Sequence, residues 1–137
     1  MKKRRRGSGE HLEQKVLIDW WSKQHPKLYN CLFAIPNGAA LAGGPAQRAM
    51  QMNKLKAEGL LPGVSDLFLM ISSGEYNGIF IEMKDKGKTR CSVSNVQWEH
   101  ILLAREHGFA ATWCAGSKEA IQVITDYLNG NYEESKF

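Results

Sequence analysis

Asp66, Glu82 and Lys84 interrupt an otherwise apolar stretch of the chain, and their spacing can bring them together. Asp66 follows Pro62-Gly63-Val64-Ser65 and opens the run Leu67–Ile71, while Glu82 and Lys84 lie in Ile79–Lys84. Side chains alternate along a strand, so Glu82 and Lys84 share one face and Ile81 and Met83 the other. Gly74 and Asn77-Gly78 between the two runs predict an antiparallel hairpin with a loop of about seven residues. If that hairpin is symmetric about Gly74 or Glu75, Asp66 lies opposite Glu82 or Lys84. Two carboxylates and an amine on one patch suit phosphodiester hydrolysis. Carboxylates bind Mg²⁺ and leave positions open for water and phosphate. The metal polarises the phosphoryl oxygen and generates hydroxide, while an ammonium orients the nucleophile or stabilises developing charge. The same spacing also arises by chance, with Glu82 and Lys84 facing solvent and Asp66 in a turn, so the rest of the chain must discriminate.

The elements that would position these residues follow from pattern. Glu10 to Gln24 has helical apolar spacing (Leu12, Val16, Leu17, Trp20, Trp21) and stops before Pro26. Cys31 to Ile35 is a short apolar strand halted by Pro36-Asn37-Gly38. A glycine-rich loop leads to Pro45, suited to the first turn of a helix running to Glu58. Leu67 to Ile71 is unbroken apolar, as expected of a central strand covered on both faces. Ser94-Asn95-Val96-Gln97 has the form of a capping box, and its helix ends near His107-Gly108. Phe109 to Ala115 is a further strand, and Lys118 to Asn129 a last helix. The order α-β-α-β-β-α-β-α predicts an α/β sandwich with a mixed sheet of about four strands, not an all-parallel fold.

At 137 residues with 43% hydrophobic content, the chain can build one core without disulfide or metal staples. Cys31, Cys91 and Cys114 are odd in number and widely spaced, which predicts reduced thiols, Cys31 and Cys114 in apolar strands. Five of the 18 basic residues fall in residues 1–9; the other 13 face 14 acids, so the remainder carries a formal charge of −1. The basicity is a tail, either a DNA-contacting arm or an added segment, and it neither selects a sequence nor cuts. The expected organisation is a basic tail over 1–9, a domain over 10–130 and a C-terminal tail over 131–137. No apolar run is long enough for a membrane span and the N-terminus lacks the apolar stretch of a signal peptide, so a cytoplasmic location is expected.

Five elements in order resemble the VRR-NUC family of the PD-(D/E)xK nuclease superfamily, across about Glu10 to Gly130. They are Glu10, His11, Gln14 and Trp20 or Trp21 as E-H-x-x-Q…W, and the turn Pro36-Asn37-Gly38. A helix ending in Gly59 then precedes Pro62-Gly63-Val64-Ser65-Asp66, followed by Glu82-Met83-Lys84 and by Ser94 with Gln97. The resemblance implies a restriction-endonuclease-like sandwich and a Mg²⁺- or Mn²⁺-dependent endonuclease without a small-molecule cofactor. It implies that Asp66, Glu82 and the Met83 carbonyl bind the metal, that Lys84 positions the attacking water, and that Gln97 makes polar contacts at the site's edge beside its capping role. The family spacing points to Glu10 as a further carboxylate on the first helix. Helix geometry also makes Glu13 a candidate, because it lies within the predicted apolar arc.

Lys86, Lys88 and Arg90 follow the active strand in a loop that either meets DNA or is simply solvated, and Asn37 lies in a turn that could admit a phosphate. Arg48, Lys54 and Lys56 read as an exposed helix face, and the four histidines carry no assigned chemistry. With no base-reading module in view, branched DNA is the expected substrate. Small stand-alone VRR-NUC proteins of viral or bacterial type look like homodimers that cut four-way junctions, which implies a Holliday-junction resolvase acting in DNA repair and recombination, in a bacterial host cell or encoded by a phage. A homodimer provides the two sites that symmetric cuts need. Flap, fork, single-strand or restriction-like cleavage, and non-catalytic DNA binding on a nuclease-like fold, remain as alternatives.

Overall fold

The computed structural model describes residues 8–36 and 41–134. Asn37 and most of the basic tail therefore lie outside the described residues. Among the described residues, four α-helices and four strands follow in the expected order: α1 (Ser8–Gln24), β1 (Leu32–Ala34), α2 (Pro45–Ala57), β2 (Leu67–Leu69), β3 (Ile79–Lys84), α3 (Asn95–Glu106), β4 (Ala110–Ala115) and α4 (Ser117–Leu128). The sheet order is β1-β2-β3-β4, antiparallel at the first two pairings and parallel between β3 and β4. This is the mixed α/β sandwich expected, and among the described residues no helix is long and apolar enough to cross a membrane.

The two faces of the sheet are covered unequally. On one, Leu67, Leu69, Ile79, Ile81 and Met83 pack with Leu17 and Trp21 of α1 and Ala120, Ile124 and Tyr127 of α4 into the main core. On the other, α3 packs over β3 and β4 around Val93, Ile101, Ala104 and Ala111. The β1–β2 half of that face stays open: Phe33 is 41% and Met70 57% exposed. Tyr127 of α4 donates from its hydroxyl to the Ile71 carbonyl at 2.6 Å, tying the hairpin to the main core.

Several boundaries differ from the sequence expectation. Helix α1 begins at Ser8, so Ser8 and Gly9 belong to it and not to the tail. Its buried residues are Leu17 and Trp21, while Leu12 and Val16 of the predicted arc face solvent. Cys31 closes a 3₁₀ turn over Pro26–Cys31 instead of opening a strand, because Pro26 starts a tight turn that ends where Leu32 pairs with Leu69. Strand β2 stops at Leu69 and is fully buried on one face only; on the other, Phe68 is half-buried among Phe33, Phe80 and Phe109. The segment 131–134 packs instead of trailing: the Tyr132 hydroxyl donates to Glu134 at 2.6 Å, and Glu134 pairs with Arg105 at 3.1 Å. The three thiols are free, with Cys114 buried and Cys91 exposed.

Candidate active site

The hairpin register decides the arrangement. Leu67 pairs with Ile81 and Leu69 with Ile79, so one step further Asp66 faces Glu82, the outcome expected of a hairpin centred on Gly74. Asp66 is anchored from both sides: its Oδ2 accepts from the Met83 N–H at 2.8 Å, and its carbonyl accepts from the Ile35 N–H at 2.8 Å. Gly63, three residues earlier, has a φ of +93°, and a Cβ there would come within 2.7 Å of the Val96 carbonyl oxygen. Only glycine lets the chain before Asp66 press against the first turn of α3, which carries Gln97.

Helix α3 delivers Gln97 through its cap. Ser94 Oγ accepts from the Gln97 N–H at 3.2 Å, and Gln97 Oε1 accepts from the Ser94 N–H at 3.0 Å. The same amide reaches the strand: its Oε1 also accepts from Lys84 Nζ at 3.0 Å, and its Nε2 donates to Glu82 Oε1 at 2.9 Å. Lys84 Nζ stands 3.6 Å from that same Glu82 oxygen. The capping and site roles expected of Gln97 are thus filled by one side chain.

Glu82 is only 3% exposed, and its second oxygen, Oε2, is buried and meets no donor among the described residues. Burial and the neighbouring Asp66 charge push its carboxyl up to about 8. Burial likewise raises Asp66 above the usual carboxylate range, against the pull of the Met83 N–H and the Lys84 charge. A buried Glu82 beside a half-buried Asp66 shares a proton with it more readily than both ionise. A buried carboxylate oxygen without a donor has the chemistry of a cation ligand. Among the described residues no group of three or more His, Cys, Asp or Glu side chains is assembled. The donor set is the Asp66–Glu82 pair, which fits Mg²⁺ because that ion is commonly held by one or two carboxylates.

The other predicted residues divide. The first turn of α1 lies at this end of the sheet: the charge of Glu10 acts on Glu82, that of His11 on Asp66, and a Cβ on Gly9 would run into the Asp85 carboxylate. Glu13 points elsewhere, its Oε2 accepting from the Ser117 N–H at 2.6 Å in the first turn of α4. Lys86, Lys88 and Arg90 do not converge. Lys86 lies beside Glu13 and Gly116, Lys88 is exposed, and the Arg90 guanidinium stacks on the Trp98 ring at 4.0 Å. The sequence reading gave His11 no chemistry; its place beside Glu10 in the E-H-x-x-Q pattern was the available signal. Ser65, whose buried hydroxyl meets no partner among the described residues, was also passed over.

Among solved structures, the chain is similar to a VRR_NUC domain protein at 25% identity, with 100% of each chain covered and a TM-score of 0.74. No family model matches the sequence, and no curated protein does.

Proposed function

We propose that this chain, a nuclease-like member of the VRR-NUC family by its motif order and full-length structural likeness, is a divalent-metal-dependent DNA endonuclease that resolves four-way junctions as a homodimer. The observation that carries this is the buried Glu82 with Asp66 opposite it and with Lys84 and Gln97 against it. Asp66 and Glu82, with the Met83 carbonyl, would hold Mg²⁺ or Mn²⁺, and Glu10 would add a carboxylate from α1. When bound, the cation supplies Lewis acidity toward the phosphoryl oxygen and hydroxide near neutral pH. Lys84, fixed by the Gln97 amide, presents its ammonium toward the attacking water and the charge that develops on the phosphate. Gln97 keeps Lys84 and Glu82 at fixed separation. Lys86 and Lys88 are exposed and available to phosphates, whereas Arg90 serves chiefly to fix its loop on Trp98.

Two features support a homodimer. Helix α2 buries none of its residues within the described chain, although a 13-residue helix is marginal on its own. The open Phe33–Met70 sheet face is a second apolar surface on the same chain, so one copy can offer what another covers. The test is cleavage of a labelled immobile four-way junction beside matched linear duplex and flap, with Mg²⁺, Mn²⁺ or EDTA, by the native chain and Glu82→Ala. Symmetric, metal-dependent nicks on the junction that vanish in the variant are expected. Cleavage of flaps alone would remove the resolvase assignment, and binding without any cleavage would remove the nuclease.

A further inference from the structure

An open groove beside α1, lined by polar side chains and by their apolar stems, is not accounted for by the residues above. It encloses about 470 Å³ between His11, Gln14, Lys15, Ile18 and Ser22 of α1 and Tyr29 of the 3₁₀ turn. The α1 residues recur every three or four positions and so form one stripe along the helix. From His11 to Ser22 the stripe is about 16 Å long, the axial length of roughly four or five stacked nucleotides. Its His11 end lies at the proposed cleavage site: His11 is in the first turn of α1, where a Cβ on Gly9 would run into the carboxylate of Asp85, the residue after Lys84.

The lining has the character of a nucleic-acid track. Lys15 is exposed and forms no ion pair among the described residues. Asp19, the acid in the groove, is held by Lys23 at 2.8 Å, so it does not leave the groove acidic. At the far end Tyr29 is 53% exposed and makes no hydrogen bond or ring contact among the described residues. An exposed aromatic beside cationic and polar groups is what an unstacked base requires, since every base has a π-face. The volume is that of a drug-sized ligand, with room for the bases of one strand.

We propose that this groove is a subsite for single-stranded DNA leaving the cleavage site, with a base stacked on Tyr29, the backbone drawn by Lys15, and His11 at the entrance. The proposal rests on the reading of Asp66, Glu82 and Lys84 as a phosphodiester-cleaving site. Substrates with unpaired nucleotides next to the cut, flaps or junctions whose centre opens, then bind better than fully paired DNA.

The test compares the native chain with Tyr29→Ala, Tyr29→Phe and Lys15→Ala. Binding is first followed in EDTA by the fluorescence of 2-aminopurine placed in the unpaired arm of a flap, with blunt duplex as control. Tyr29→Ala should weaken flap binding about tenfold and abolish the stacking signal, Tyr29→Phe should retain both, and duplex binding should not change. Lys15→Ala should weaken flap binding and flatten its salt dependence. With Mg²⁺, Tyr29→Ala should raise KM for the flap and leave kcat. An equal loss on flap and duplex, or no loss on either, would overturn the groove. Both proposals have separate outcomes: a native chain that stacks the flap base but cuts nothing with either metal sinks the nuclease and leaves the groove, whereas cleavage that ignores Tyr29 does the reverse.

Discussion

Glu13 and Glu82 are carboxylates of the same type near the same end of the sheet, the first half-exposed and the second buried, and their surroundings do opposite things to them. Glu13 accepts from the Ser117 N–H, with further help from the Ser117 hydroxyl and the Lys86 charge, and its carboxyl is held below the usual range. Glu82 has one oxygen on the Gln97 amide, the other without a donor, and Asp66 beside it; its carboxyl rises to about 8. A carboxylate that completes a helix N-terminus stabilises the fold. One that is buried short of donors costs stability. Such a group marks a place organised for something other than folding.

The comparison is tested most severely at Glu82. Glu82→Gln should lower cleavage by more than about 100-fold, beyond what loss of an outer contact to a metal site typically costs. The same variant should melt at a higher temperature than the native chain in EDTA, because it removes a buried, incompletely paired carboxyl. Lower activity together with a lower melting temperature would mean that Glu82 is an ordinary structural residue and would break the contrast. Next in size is Gln97→Glu. It keeps an acceptor for the Ser94 N–H but loses the amide donor to Glu82 and adds a like charge. Cleavage should fall about 10–100-fold while α3 keeps its cap, visible as retained helicity and near-native melting. Should Gln97→Glu cleave normally, Gln97 would be a cap alone.

How much of this was legible depended on sequence distance. The shared face of Glu82 and Lys84 follows from alternation, and the opposition of Asp66 and Glu82 follows from a hairpin closed at Gly74, both local rules. The capping box was legible for the same reason, being confined to Ser94 and Gln97. The Glu13–Ser117 bond joins residues 104 apart and has no local signal, so pattern alone placed Glu13 in an apolar arc that does not exist as drawn. Leu12 and Val16 face solvent because only the Leu17–Trp21 side of α1 meets the sheet. Likewise Arg90 reads as a free loop cation until α3 brings Trp98 beneath it. The end of β2 was overestimated because Met70 and Ile71 are as apolar as a strand requires, although Met70 faces solvent and only Ile71 packs against the main core.

Acid–base behaviour sharpens the contrast further. A folded pKa raised above the usual 4.5 gives Glu82 a contribution fully present below about 4.5 and lost as pH rises through about 8. Asp66 is raised as well and adds in the same sense. In EDTA the native chain should therefore lose stability between those limits, and Glu82→Gln should flatten the decline in denaturant titrations run at stepped pH. A native chain equally stable at pH 5 and pH 9, with the variant no different, would show that Glu82 ionises freely.

Glu13 should give the smallest effect and the opposite sign. Its carboxyl is lowered, so its contribution is present above the usual 4.5 and is lost as pH falls through the folded value. Glu13→Ala should cost about 1 kcal/mol at neutral pH, the typical worth of a helix cap, seen as a melting temperature roughly 4 °C lower. The deficit should close in acid, where the native carboxyl is protonated too. Cleavage at neutral pH should stay near native, since the Ser117 N–H and not the Asp66–Glu82 pair is what Glu13 serves. Loss of cleavage with an unchanged melting curve would transfer Glu13 to the site and leave the α4 terminus to some other acceptor.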